Sequence, residues 1–392
     1  MIKNNFFLLM LSIYSVIILF VPMEYRVNVL PVSINYIIFS VFIIVNISLA
    51  SDYIKLYRQL VPMSLIVLLF TLSLVYAPNN YDALVQLISL LLLYFLMLYI
   101  FTYFKSNDVV KLIRILFYLG VIYSLASLIT VDKLVDYQGH FVGLASNRHN
   151  TSLIFGFFCI ISFIVLMKSQ YFLERLISIF NFFLFQYLIF VTSARVGFFL
   201  ELVFFLFLLL FLLLVKKNII VKLAVLSTVI FGLLIMSFYL LEIDEISNYI
   251  DSAIKRGSTG RDEINQALSL YQSKYNFIFS VLGFGIGALE SHRHLSEHFI
   301  RDSNNLTAVV FCIGYIGLIL YFLLFASVIK VLIRNINTKS LGNSYLYTSF
   351  ILSIALIPSE TIWLNFNEFV TVFMYLFIAA ILKLDSLDID LK

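Results

Sequence analysis

Apolar runs of about 18–25 residues, the length that crosses a hydrocarbon layer as a helix, recur along the whole chain. They fall near 6–22, 29–49, 60–76, 82–104, 110–130, 150–167, 172–192, 196–215, 219–241, 306–329, 344–361 and 369–385, which predicts about twelve transmembrane helices. The runs are continuous and do not alternate every second residue, so a membrane β-barrel is excluded. Hydrophobic residues make up 62% of the chain and the mean hydropathy is +1.03, far outside the range of a fold that must clothe itself in polar surface. The expected fold is all-α: a polytopic transmembrane helical bundle. The first run, from Phe6, leads into Pro22-Met23-Glu24 with no small-residue cleavage site, so it is expected to stay as a helix and not to leave as a signal peptide.

Charge sets the expected orientation. Lys55 and Arg58, then Lys105, Lys111 and Arg114, then Lys168 and Arg175, then Lys216, Lys217 and Lys222, then Lys330, Arg334 and Lys339 fall in every second connection. The intervening Asn79-Asn80-Tyr81-Asp82 and Glu360-Thr361-Ile362-Trp363 hold no Lys or Arg. The positive-inside rule then puts both termini in the cytoplasm, with loops 131–149 and 242–305 on the outer face. The organisation read from this is 1–130 for the first helices, 131–330 for a core carrying both outer loops, and 331–392 for the last helices. The net charge of +4 is scattered over span ends, which is no nucleic-acid signal, and Cys159 and Cys312 sit inside apolar runs, which implies neither disulfide nor metal site.

Against this background Thr192-Ser193-Ala194-Arg195-Val196-Gly197 stands out, because it breaks an otherwise apolar stretch from about Leu176 to Leu214. An unpaired arginine within the bilayer costs about 3 kcal/mol by insertion scales. Arg195 is therefore expected to hold an anion at the outer face, the competing reading being a side chain that snorkels to the headgroups. Glu201, within the next span, is also costly to bury; it either partners another helix or lines a cavity.

The segment from Glu242 to Asn305 is the one stretch of soluble character. Thr259 with Asp262 resembles a capping box, and Ile264, Ala267, Leu268 and Tyr271 mark one helical face. Gly283-Phe284-Gly285-Ile286-Gly287 follows, able to turn sharply or to present amides to a phosphate. The polar cluster Glu290, His292, Arg293, His294, Glu297, His298, Arg301 and Asp302 fits a hydrated loop near headgroups, with a metal site as the less favoured reading.

Three patches, taken in order, resemble the O-antigen polymerase and ligase superfamily of integral-membrane proteins, the Wzy/WaaL group. Ser193-Ala194-Arg195-Val196-Gly197 is similar to its Ser-x-Arg-x-Gly at the start of a span. Gly260-Arg261-Asp262-Glu263-Ile264 with the glycine turn at 283–287 resembles its Gly-Arg helix and turn. Asp302-Ser303-Asn304-Asn305 with Gly314-Tyr315-Ile316-Gly317-Leu318 resembles the pattern that opens the span after the large outer loop. A weaker fourth patch is Gly143 to Asn150, and the resemblance covers roughly residues 140–330. Ligases of the group carry a histidine before that asparagine. Here the position holds Ser303, which favours a polymerase; an alignment through the histidine cluster would restore the ligase reading.

The resemblance implies a glycosyltransferase that joins oligosaccharide repeat units carried on undecaprenyl diphosphate, in polysaccharide biosynthesis of the lipopolysaccharide O-antigen or capsular kind. It implies Arg195 and Arg261 on the diphosphate, since guanidinium binds phosphate oxygens through two hydrogen bonds. Asp302 or His298 would deprotonate the acceptor hydroxyl, and Asn147, Gly285, Arg301 and Asn304 would touch substrate. Plainer roles compete at each position: capping for Asp302, Asn147 and Asn150, an exposed helix start for Arg261, a simple turn for the glycines. No cofactor and no metal is required, and the expected partners are membrane lipid, a chain-length regulator and the flippase of the same pathway. The alternatives are a ligase passing glycan to a lipid acceptor and a transporter or flippase of polar lipids.

Overall fold

A computed structural model describes residues 2–20, 58–76, 80–135, 141–144, 148–192, 194–215, 277–285, 305–337, 349, 351–352, 354 and 369–384. The described residues are mostly helical and form no strand, with bridge residues only at Val135, Phe141 and Ser169, the first two paired with each other. The helices are α1 (Ile2–Phe20), α2 (Val61–Ser73, prolonged by a 3-10 turn at Leu74–Tyr76), α3 (Asn80–Tyr103), α4 (Ser106–Thr130), α5 (Arg148–Lys168) and α6 (Phe172–Val191). They continue with α7 (Arg195–Val215), α8 (Phe277–Leu282), α9 (Asn305–Asn337) and α10 (Phe369–Leu384). Among the described residues five helical stretches are long and apolar enough to cross a membrane: Ala83–Tyr103, Ser106–Thr130, Arg148–Lys168, Phe172–Val191 and Val309–Val331. The protein is a helical membrane protein. The runs expected at 29–49 and 219–241 lie outside the described residues, as does most of 344–361.

Polar contacts fix which helix ends lie together. Asn4 in α1 donates through Nδ2 to the Tyr103 carbonyl at the end of α3 (3.1 Å) and to Asp108 in the first turn of α4 (2.8 Å). Asp108 also accepts from the Lys105 amide (3.0 Å), capping α4. Lys383 near the end of α10 reaches the Ile100 carbonyl (3.4 Å). Farther along α4, Arg114 lies 3.5 Å from Glu174 at the start of α6, and Tyr118 donates to the same carboxylate (3.1 Å). Arg175 donates to the carbonyl of Ser169, just past the end of α5 (2.7 Å). One end of the bundle thus gathers the starts of α1, α4 and α6 and the ends of α3, α5 and α10, with Lys105, Lys111, Arg114, Lys168 and Arg175. The ends of α2, α4 and α6 and the starts of α3, α5 and α7 lie at the other.

The core is aromatic and continuous. Phe155 and Phe158 of α5 meet Tyr123 of α4 and Phe185 of α6, and Phe157 and Phe158 meet Phe369 of α10. α5 is the most enclosed of the long helices, and α4, α6, α7 and α10 all pack against it. A polar knot ties three of these helices. Ser124 of α4 donates to Asn181 Oδ1 of α6 (2.6 Å), and Asn181 Nδ2 donates to Ser162 of α5 (3.1 Å). Without water, side-chain hydrogen bonds of this kind hold helices together where apolar burial against lipid supplies little drive.

Asn181→Leu should lower stability by about 0.6–1.7 kcal/mol, the range measured for such membrane contacts. The loss stays small because Ser124 and Ser162 each keep a backbone carbonyl partner, at Val121 and Phe158. Thermal unfolding of purified protein in detergent checks this, and an unchanged melting temperature would contradict it.

Candidate functional site

The end of the bundle away from the basic cluster holds every described part of the patches singled out in the sequence. They come together in two pairs.

The first pair joins the starts of α5 and α7. α6 ends at Val191, and the chain turns through Thr192, whose hydroxyl accepts from the Ala194 amide (3.3 Å) and donates to the Ile189 carbonyl (2.7 Å). α7 then begins at Arg195. The first amides of any helix have no partner within it. Here Ser152 of α5 supplies one: its hydroxyl accepts from the Gly197 amide (3.1 Å) and donates to the Ala194 carbonyl (3.0 Å). The two helices touch at this level. A Cβ on Gly197 would stand 2.5 Å from the Ser152 carbonyl, and one on Gly156 would stand 3.0 Å from the Gly197 carbonyl. The glycine of Ser-x-Arg-x-Gly is therefore required by the helix crossing, and Arg195 between Ala194 and Gly197 is held at the end of the bundle by its backbone. Arg148 lies one turn before Ser152 on α5, so it shares that face and brings a second arginine to the same end. Neither α5 nor α7 has an acidic residue in its first turn. Two helix starts and two arginines make this end attractive to an anion.

The loop before α5 folds over this crossing. The Val142 amide donates to the Leu134 carbonyl (2.9 Å), Phe141 is buried against Phe155, and the Thr151 hydroxyl donates to the Val142 carbonyl. Arg148, His149 and Asn150 are half-buried at its edge.

The second pair joins the glycine turn to α9. At Ile313 (φ −127°, ψ 16°) and Gly314 (φ 64°, ψ −169°) α9 is broken. The break leaves the Phe311 and Cys312 carbonyls to accept from the Phe284 and Gly285 amides (2.8 and 3.0 Å). Only glycine fits there: Gly314 has a left-handed backbone, and a Cβ on it would stand 2.1 Å from the Val281 carbonyl. Phe284 is buried between the rings of Phe279 and Phe311, and Tyr76 at the end of α2 donates to the Leu282 carbonyl (3.4 Å). Of residues 277–285, which the sequence places in the long outer loop, Gly283, Phe284 and Gly285 are buried against the break in α9, while Phe277 and Ile278 are exposed. The Gly285 amide, expected on substrate, is engaged by Cys312.

Of the expected site residues, Arg195 is described by its backbone and Gly285 in full. Asn147, Arg261, His298, Arg301, Asp302 and Asn304 lie outside the described residues, as do the helix expected over 259–271 and the histidine cluster. Sequence reading passed over Ser152 and Arg148. Their signal was present: Ser152 and Gly156 form the small-xxx-small spacing of close helix crossings, facing the glycine of the arginine motif.

Comparison of the chain with protein-family models finds no match, and no curated protein matches it.

Gly197→Ala is expected to force α7 off α5, a clash of the kind that costs about 1–3 kcal/mol. Ser152→Ala leaves the Ser152 carbonyl in place and removes the cap on Gly197, so adding it to Gly197→Ala should not restore the lost melting temperature. A Gly197→Ala protein as stable as wild type would contradict the crossing described here.

Proposed function

We propose that this protein polymerises oligosaccharide repeat units carried on undecaprenyl diphosphate, at the outer face of a bacterial cytoplasmic membrane. One observation carries the reading. Arg195 begins a helix of whose first amides one, that of Gly197, is capped from α5, at an end of the bundle that also holds Arg148 and no acid in either helix's first turn. That is a setting for a phosphate-bearing lipid headgroup. The order of the patches, from the loop before α5 through the Arg195 start to the glycine turn and the break in α9, supports the resemblance to the Wzy/WaaL group.

In this reading the acceptor hydroxyl of one lipid-linked unit attacks the anomeric carbon of a second. The new glycosidic C–O bond forms as the bond to the diphosphate breaks, and the lipid diphosphate leaves with the bonding electrons. Arg195, with Arg261 or Arg148, neutralises the charge that develops on it, in a setting where water competes weakly. Asp302 or His298 takes the acceptor proton. Asn147, Arg301 and Asn304 remain proposed contacts. The fold in this reading has about twelve spans, both termini in the cytoplasm and the basic end of the bundle inside.

The purified protein, given lipid-linked repeat units, should yield a ladder of products. Arg195→Ala should abolish the ladder and Arg195→Lys should lower yield by about two orders of magnitude, because an ammonium lacks the planar fork that binds phosphate twice. Normal ladders from either variant would return Arg195 to a headgroup-snorkelling role. Transfer of a finished glycan to a lipid acceptor without a ladder would indicate a ligase, and lipid translocation without any bond formation a flippase.

Orientation is checked separately. A reporter active only outside the cytoplasm, fused after Lys392, should stay silent; activity there would overturn the proposed topology.

A further inference from the structure

The polar cluster at Glu201 lies deeper than the site above and is not used by it. Glu201 is six residues into α7, about 9 Å along its axis, and is only 5% exposed. Its Oε2 accepts from Gln186 Nε2 of α6, and the same amide nitrogen lies 3.4 Å from Cys159 Sγ of α5. The Cys159 thiol in turn points at the Phe182 carbonyl (3.8 Å). Glu201 Oε1 is buried and has no hydrogen-bond partner among the described residues. Among the described residues no lysine, arginine or histidine forms an ion pair with it. Its neighbours across both facing helices are thus one neutral amide and one thiol, and Cys159 is the only titratable group that faces it from α5 or α6.

An ionised carboxylate so enclosed would hold a full charge against hydrocarbon with one donor to stabilise it, whereas the acid form needs little more than this cluster offers. A hard cation such as Ca2+ or Mg2+ is not served, since the amide nitrogen and the thiol add no oxygen ligand to the carboxylate, and among the described residues no group of three His, Cys, Asp or Glu gathers for a softer one. We propose that Glu201 is a proton-binding site within the membrane, occupied at neutral pH, and that the bound proton is what allows α5, α6 and α7 to close around it beneath the Arg195 helix start. The uptake step is simple: a carboxylate oxygen takes a proton from hydronium, whose O–H bond breaks to leave water, and the negative charge on Glu201 is removed. The proposal does not depend on the glycan reaction.

The same chemistry makes Glu201 a modification site for an apolar carbodiimide, which adds to un-ionised carboxyl groups. The acid proton passes to a carbodiimide nitrogen, the carboxyl oxygen bonds to the central carbon, and acyl migration leaves a stable N-acylurea with nothing expelled.

Two measurements on the full chain in lipid vesicles test this. Infrared spectra at pH 7 of wild type and Glu201→Gln should differ by loss of a C=O stretch of an un-ionised acid. Loss of a carboxylate stretch instead would overturn the proposal. The variant should fold and melt close to wild type, since a neutral amide replaces a neutral acid of the same shape; a variant that fails to fold, when Glu201→Asp folds, would show that the charge is needed and overturn it too. Independently of any variant, dicyclohexylcarbodiimide at pH 7 should label the wild-type peptide that carries Glu201 and spare Glu174, which is paired with Arg114 at 3.5 Å. Label on Glu174 with none on Glu201 would contradict the proposal.

Discussion

Hydrocarbon offers no hydrogen bonds, so every amide and carbonyl released by a break in a helix must be paired by another part of the protein. The described part of this structure meets that constraint at two places, and both are where the chain does something other than continue a helix. Between α6 and α7 the pairing comes from side chains, Thr192 locally and Ser152 from the neighbouring helix. Inside α9 it comes from backbone, the amides of Phe284 and Gly285 closing on Phe311 and Cys312. In each case a glycine lets the partner come near enough, Gly197 in the first and Gly314 in the second. The breaks fall at the same end of the bundle, and an end built from helix starts and engaged carbonyls is where polar substrates can be met without exposing backbone to lipid.

This arrangement explains why α5 matters more than its sequence suggests. It carries the aromatic core through Phe155, Phe157 and Phe158, the Asn181 knot through Ser162, the cap on α7 through Ser152 and the thiol beside Glu201 through Cys159. One helix therefore couples the packing of the bundle to the placing of Arg195. A change at either level is transmitted to the other, since the crossing at Gly156 and Gly197 leaves no slack.

The spans were legible because their signal is one-dimensional. A run such as 82–104 or 150–167 needs only length and hydropathy to be read, and α3 and α5 lie close to those bounds. The alternation of basic connections was equally plain, and the structure gathers Lys105, Lys111, Arg114, Lys168 and Arg175 at one end. What one dimension could not carry was pairing. Glu201 left two readings open until Gln186 of α6 was seen beside it. Ser152 looks like any hydroxyl at a helix start until Gly197 is placed against it. Apolar residues 277–282 were drowned in the charged loop around them, and the Gly314 break was hidden inside an unbroken apolar run, because a left-handed residue leaves no trace in hydropathy.

In the function proposed above, the α5–α7 crossing, through Ser152, seats Arg195 to hold a lipid diphosphate. Binding of undecaprenyl diphosphate to the purified full chain tests it most directly, compared between wild type and Ser152→Val, which keeps Arg195 but removes the cap on Gly197. The account predicts binding weakened by roughly tenfold or more, the equivalent of about 1.4 kcal/mol, with undecaprenol itself bound equally by both proteins. Equal diphosphate affinity in the two would contradict it.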